Sequence, residues 1–149
     1  MAVKPIPDGY HSVTPYLVVQ GVPTLIDFLK QAFDAQETMR MPRPDGTIMH
    51  AEVRIGDSAV MMGEAMGEFK PMAGSIHLYV EDTDATYQRA LQAGATSVMG
   101  PVDQFYGDRS AGVKDPAGNH WWIATHIVDV SPEELARRAE AYMQQQRSG

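Results

Sequence analysis

The chain has 149 residues, enough for one domain with its own core or for two very small fused units. Its 44% hydrophobic and 21% charged residues form an ordinary globular composition, and its net charge of −7 argues against nucleic acid or an anionic membrane as partner, because both attract basic surfaces. There is no cysteine, which excludes disulfides and thiolate chemistry, and the first residues hold no apolar run suited to a signal peptide or membrane span, so a cytoplasmic location is expected.

Residues 1–10 contain two prolines and Asp8-Gly9 and read as an extended lead-in. Residues 11–19 form the first predicted strand. Val13, Pro15, Leu17 and Val19 share one face; Thr14, Tyr16 and Val18 share the other. Gly21-Val22-Pro23-Thr24 opens a helix whose Leu25, Ile26, Leu29 and Phe33 make one apolar stripe. Two strands, 37–41 and 47–55, flank the turn Pro42-Arg43-Pro44-Asp45-Gly46. In the second of them Met49, Ala51, Val53 and Ile55 oppose Ile48, His50, Glu52 and Arg54. A short strand follows over 59–62, and 65–74, with Gly67, Pro71 and Gly74, reads as a linker.

The pattern then restarts. Residues 75–80 are a predicted strand, Asp82-Thr83-Asp84 supplies the N-cap of a helix running to about 93, and Gly94 stops it. A strand over 96–98, a loop over 101–107 and a strand over 109–114 lead to the turn Asp115-Pro116-Ala117-Gly118. The last strand, 119–125, points Trp121, Ile123 and Thr125 one way and His120, Trp122, Ala124 and His126 the other. Thr14–Val19 aligns without gaps over Ser75–Val80, and Gln31-Ala32 over Gln92-Ala93, so the β-α-β-β-β unit occurs twice.

The expected fold is α+β: two tandem βαβββ modules forming a curved, cleft-bearing mixed sheet with helices on its outer face. Module one covers about 11–64, the linker 65–74 and module two about 75–126, within a single domain over 1–128. A helix over 129–149 starts with the capping box Ser131-Pro132-Glu133-Glu134, and its Leu135, Ala136, Ala139, Tyr142 and Met143 are expected to dock on the body or on a second subunit.

This duplicated unit, closing on Asp-Pro-x-Gly-x-x-aromatic, resembles the vicinal oxygen chelate superfamily of glyoxalase I, bleomycin resistance proteins and extradiol dioxygenases. Val13-Thr14-Pro15-Tyr16-Leu17-Val18-Val19, Pro44-Asp45-Gly46-Thr47-Ile48-Met49-His50-Ala51-Glu52, Gln104-Phe105-Tyr106-Gly107-Asp108-Arg109 and Gly118-Asn119-His120-Trp121-Trp122 are similar to the PhnB-like branch. The resemblance implies one metal ligand on the first and last strand of each module. Those positions are Thr14, Met62, Ser75 and Trp122, none of them a good ligand, so no cofactor is expected there.

Two readings of the cleft follow. In the first, Tyr16, Met62, Tyr79 and Trp122, with Phe105, Tyr106 and Arg109 from the loop region, bind a small aromatic or cationic molecule without metal, as antibiotic-sequestering relatives do; Glu52 and Glu64 and the acidic net charge favour a cation. The same aromatics packing a narrow cleft is the plainer alternative. In the second reading His50, His77, His120 and Glu52 converge as a displaced divalent-metal or acid–base site of a lyase, isomerase or dioxygenase-like enzyme. Asp108 and Arg109 are expected to pair at the rim, and His11 and His126 to lie at strand ends or on the surface. The resemblance also implies a homodimer, sometimes with exchanged modules. No Gly-rich nucleotide loop and no Gly-x-Ser-x-Gly occurs, which removes nucleotide-binding and serine-hydrolase classes.

Overall fold

The computed structural model describes residues 2–148. The elements run β1 (Tyr16–Val19), α1 (Val22–Phe33), β2 (Gln36–Pro42), β3 (Ile48–Ile55), β4 (Ser58–Glu64), β5 (Ser75–Tyr79), α2 (Thr83–Gln92), β6 (Thr96–Asp103), β7 (Asp108–Lys114), β8 (His120–His126) and α3 (Pro132–Ser148). They form two four-stranded sheets of identical topology, β1-β4-β3-β2 and β5-β8-β7-β6, each with one parallel pair (β1 with β4, β5 with β8) and otherwise antiparallel. The α+β fold of two βαβββ units is therefore the observed one.

Each sheet turns one face to a helix. Leu17, Val19, Ala51, Val53, Val60 and Met62 of the first sheet are buried with Leu25, Ile26 and Leu29 of α1. Ala111, Val113, Trp121 and Ile123 of the second are buried with Tyr87 and Ala90 of α2. The helices also pack on each other, and Phe33 of α1 stacks 4.9 Å from Trp121, so both modules share one core. Full burial of each large apolar side chain contributes about 1.5–3 kcal/mol.

The Asp-Pro-x-Gly turn is a buried polar knot. Asp115 accepts hydrogen bonds from the backbone N–H of Ala117 and Asn119, from Asn119 Nδ2 and, at 2.8 Å, from Trp121 Nε1. Asn119 Oδ1 in turn accepts from the N–H of Gly74, which ties the end of the linker to the start of β8. The Asp-Pro-x-Gly ending thus ties its own turn, the linker and β8 together.

Several boundaries differ from expectation. The first strand begins at Tyr16, not at residue 11: Pro15 has no N–H to give, although its carbonyl accepts from Met61, and Val13 is exposed. Residues 101–103 extend β6, where Pro101 is tolerated because β6 is an edge strand with a register shift between Met99 and Val102. At the start of β3 the alternation breaks: Ile48 is buried and Met49 exposed, beside a register shift between Met41 and Pro42 of β2. In α3, Ser131 Oγ caps the N–H of Glu134, but the Glu134 carboxylate pairs with Arg137 and Arg138 instead of reaching back. That helix buries none of its residues and touches the body through Tyr142 against Phe105 and Arg138 against the Phe105 carbonyl.

Candidate functional site

The face of each sheet that points away from its helix is open. On the first sheet, register places Tyr16 beside Met61, Val18 beside Gly63, and Glu52 between Met61 and Met39. A pocket of about 490 Å³ opens there, lined by Tyr16, Val18, Arg43, Met49, Gly63, Glu64, Met66 and Phe69. Met66 and Phe69 come from the linker, which folds back on itself through a backbone bridge between these two residues and forms one wall. Gly63 is required by close approach: a Cβ there would lie 2.7 Å from the Tyr16 hydroxyl and 2.8 Å from the Met49 carbonyl.

Behind Tyr16 runs a chain of polar groups. The Tyr16 hydroxyl is 3.2 Å from His50 Nδ1, His50 Nε2 is 2.7 Å from Glu52 Oε2, and the Tyr10 hydroxyl donates to Glu52 Oε1. A carboxylate only accepts, so His50 carries its proton on Nε2 and, when neutral, accepts from Tyr16 through Nδ1. Burial pushes the Glu52 carboxyl up, but the hydrogen bonds from Tyr10 and His50 outweigh it and hold the group below its ordinary value. The bond to Glu52 raises the Tyr10 phenol. Glu64 is committed as well: its carboxylate accepts from the N–H of Gly21 at 2.7 Å and of Val22 at 3.5 Å, at the start of α1.

The open face of the second sheet is built differently. Trp122 lies beside His77 and over Gly112, where a Cβ would come within 2.5 Å of the ring, and its Nε1 donates to Ser75 Oγ at 3.1 Å. Further along, buried Asp108 accepts from the Tyr79 hydroxyl at 2.8 Å and from His126 Nδ1 at 2.8 Å, while His126 Nε2 donates to Asp129 at 2.7 Å. The bond to Asp108 raises the Tyr79 phenol. Asp129 first, and Asp108 second, raise the His126 imidazolium.

Against this geometry the expected site residues separate. Tyr16 lines the first pocket; Tyr79 and Trp122 stand on the other sheet, outside it. Met62 is fully buried in the core, because it pairs with Leu17 and Ala51 on the helix-facing side, and Met61 is its open-face neighbour. Arg109 also faces the helix side, where bidentate bonding to Asp84 and a bond to Asp103 hold its guanidinium well above its ordinary value. Asp108 and Arg109 therefore form no pair, since adjacent strand residues point to opposite faces. Phe105 and Tyr106 pack edge to face in the β6–β7 loop beneath Tyr142. His50 and Glu52 meet, whereas His77 and His120 belong to the second sheet, beside Tyr79 and Trp122 respectively.

Among the described residues no group of three or more His, Asp or Glu side chains is placed to hold a metal ion. The positions that the resemblance assigns to ligands do not suit one either: Met62 is in the core, Ser75 already accepts from the Trp122 indole, and that indole fills the space beside it. Val18, Arg43, Met49, Gly63, Met66 and Phe69 were not singled out by the sequence as pocket groups, nor Tyr10 as a partner of Glu52. Gly63, a glycine inside β4, is a signal of close approach at this pocket that the sequence offers.

The comparisons agree with this architecture. Residues 9–123 match the family described as the glyoxalase/bleomycin resistance protein/dioxygenase superfamily. An uncharacterised protein of Mycobacterium bovis is 40% identical over 135 residues, covering 83% of this chain and 89% of that protein. A Mycobacterium tuberculosis protein, also uncharacterised, matches at the same identity over 83% of this chain and 79% of its own length. Among solved structures, TioX from Micromonospora sp. ML1 superposes with a TM-score of 0.64 at 25% identity, covering 81% of this chain and 100% of that one. Protein PA1353 from Pseudomonas aeruginosa has the same fold, with a TM-score of 0.64 at 21% identity over 79% of this chain and 99% of that one. Two βαβββ modules in this order, joined by a matching family profile over most of the chain, lead to one conclusion: the protein belongs to the glyoxalase/bleomycin resistance protein/dioxygenase superfamily.

Proposed function

We propose that this protein binds a small, flat, largely apolar molecule in the pocket on its first sheet, without a metal ion, in the manner of sequestering members of the superfamily. The observation that carries this reading is the pocket of about 490 Å³ walled by Tyr16, Val18, Met49, Met66 and Phe69. An aromatic ring and adaptable thioether side chains suit a planar ligand whose exact shape need not be matched in advance. The same sequence runs support a place in the PhnB-like branch. Met39, Met41 and Tyr79, exposed on the two open faces, support a homodimer that covers them; sedimentation as a monomer at micromolar concentration would remove that part.

The test uses 2-naphthamide, an uncharged bicyclic probe, titrated into protein carrying labelled methionine methyl groups. Met49 and Met66 are expected to shift first among the ten methionines. Absence of any shift at millimolar probe, or shifts confined to methionines outside the pocket, rejects the reading.

A second reading has its own observation, the Tyr16···His50–Glu52–Tyr10 chain, which can move a proton at the pocket wall. Here the superfamily's lyase and isomerase chemistry runs on His50 instead of a metal. Deuterium uptake at the methyl group of 2-acetylnaphthalene in heavy water, faster with the protein than with its His50→Gln variant, would favour it. Equal rates exclude it for this probe.

A further inference from the structure

The charge preference of this pocket is opposite to that of the whole chain, and we infer that its ligand is a flat apolar carboxylate held by Arg43. The inference rests on the pocket being a ligand site and adds the class of ligand. Two ionised side chains line the pocket, Arg43 and Glu64. The Glu64 carboxylate is already engaged, because both its oxygens accept from the first N–H groups at the start of α1. A cationic ligand would have to compete with those donors for the same lone pairs.

Arg43 is in the contrary position. Its side chain makes one hydrogen bond, from Nη1 to Thr47 Oγ1 at 3.3 Å, and among the described residues no carboxylate lies within salt-bridge distance of it. The acid nearest in sequence, Asp45, meets Arg43 only through Thr47: its Oδ1 accepts from the N–H and the Oγ1 of Thr47, the same hydroxyl that Arg43 Nη1 reaches. Nε and Nη2 thus remain as an unpartnered fork at the edge of an apolar cavity, the geometry that grips a carboxylate by two parallel hydrogen bonds. Burial of Glu52 with Tyr10 and His50 removes the other acid that could have favoured a cation. The chain's net charge of −7 does not decide the matter, since exposed charges more than about 10 Å away are largely screened at 0.1 M salt.

The backbone of Arg43 already closes the β2–β3 turn, accepting from Gly46 N–H and donating to Thr47, so its side chain can be changed without undoing the turn. Calorimetric titration with 2-naphthoate, 2-naphthamide and 2-naphthylmethylammonium is the test. The anion is expected to bind roughly tenfold more tightly than the amide, and the ammonium more weakly than either. Arg43→Gln should abolish the anion's advantage over the amide; Arg43→Lys, which keeps the charge and loses the fork, should retain part of it. If the amide binds and the naphthoate binds no better, or if Arg43→Gln weakens both alike, the carboxylate assignment falls and the pocket stands. If none of the three binds, the pocket reading itself falls.

Discussion

The two open faces are copies of one plan with different contents. On the first sheet Glu52 stands beside Met61; at the matching place on the second, Gly112 stands beside Trp122. Where one module puts an acid, the other puts nothing, and the space goes to an indole. Each face nonetheless keeps a carboxylate held by a tyrosine and a histidine: Glu52 with Tyr10 and His50, Asp108 with Tyr79 and His126. The first of these stands directly behind a pocket residue, whereas the second lies at the far end of its strands and ties β5 and β7 to the segment after β8. Duplication preserved the helix-facing pattern, because both halves share one core, and left the outward faces free to diverge.

The sharpest way to break this comparison is at the shared core. Trp121→Ala should cost about 3–5 kcal/mol in chemical denaturation. It should do so in a single transition, because Phe33 of module one stacks on that indole. Two separate transitions would show that the modules melt independently and that the single core is illusory.

Next come the two close-approach glycines, one per face. Gly112→Ala and Gly63→Ala should each cost about 1–3 kcal/mol through overpacking. They should differ in what moves: Gly112→Ala displaces Trp122 and shifts indole emission, while Gly63→Ala displaces Tyr16 and leaves the emission as it was. Identical spectra for both variants would contradict the register that separates the faces.

Glu52→Ala removes the acceptor of two hydrogen bonds at a site 5% exposed, and about 1–3 kcal/mol should be lost. Because Glu52 is held below its ordinary value of 4.5, the stability it supplies is present above that pH and is lost as pH falls through the folded-state value. The gap between wild type and Glu52→Gln in thermal melts should therefore narrow in acid. A gap that is constant from neutral pH down to pH about 3 would refute the assignment.

The smallest effect belongs to the second face. His126 is half exposed, and its imidazolium is raised above the ordinary 6.5, so its contribution is complete below that pH and fades as pH rises through the folded-state value. Melts of His126→Gln and wild type should diverge slightly in mild acid and converge in alkali. The opposite trend would mean that Asp108 and Asp129 do not hold the charged ring.

The fold was largely legible in the linear chain. Alternation in β8 and in β3 beyond its start, a cap within Asp82-Thr83-Asp84, the stop at Gly94 and the gap-free match of the two halves specify secondary structure locally, through side-chain period and backbone conformation. Even the opposed indoles follow from period two: Trp121 is buried and Trp122 is on the open face. Parity failed for Met62, however, because the pairing of β4 with β1 and β3, and not its own sequence, sets which of Met61 and Met62 faces the helix. The site was less legible. That His50 meets Glu52 could be guessed from their spacing of two on one strand, but that Tyr10 reaches them across 42 positions could not. Nor does any local pattern announce that the linker folds back to wall the pocket, that Glu64 is spent on the start of α1, or that Arg43 meets Asp45 only through the Thr47 hydroxyl. Periodicity is a property of neighbours in sequence, so the sequence by itself determined the modules and, outside β4 and the start of β3, their inward faces; which distant polar groups meet, and which charge is left over, depends on chain closure, and only the tertiary structure decided it.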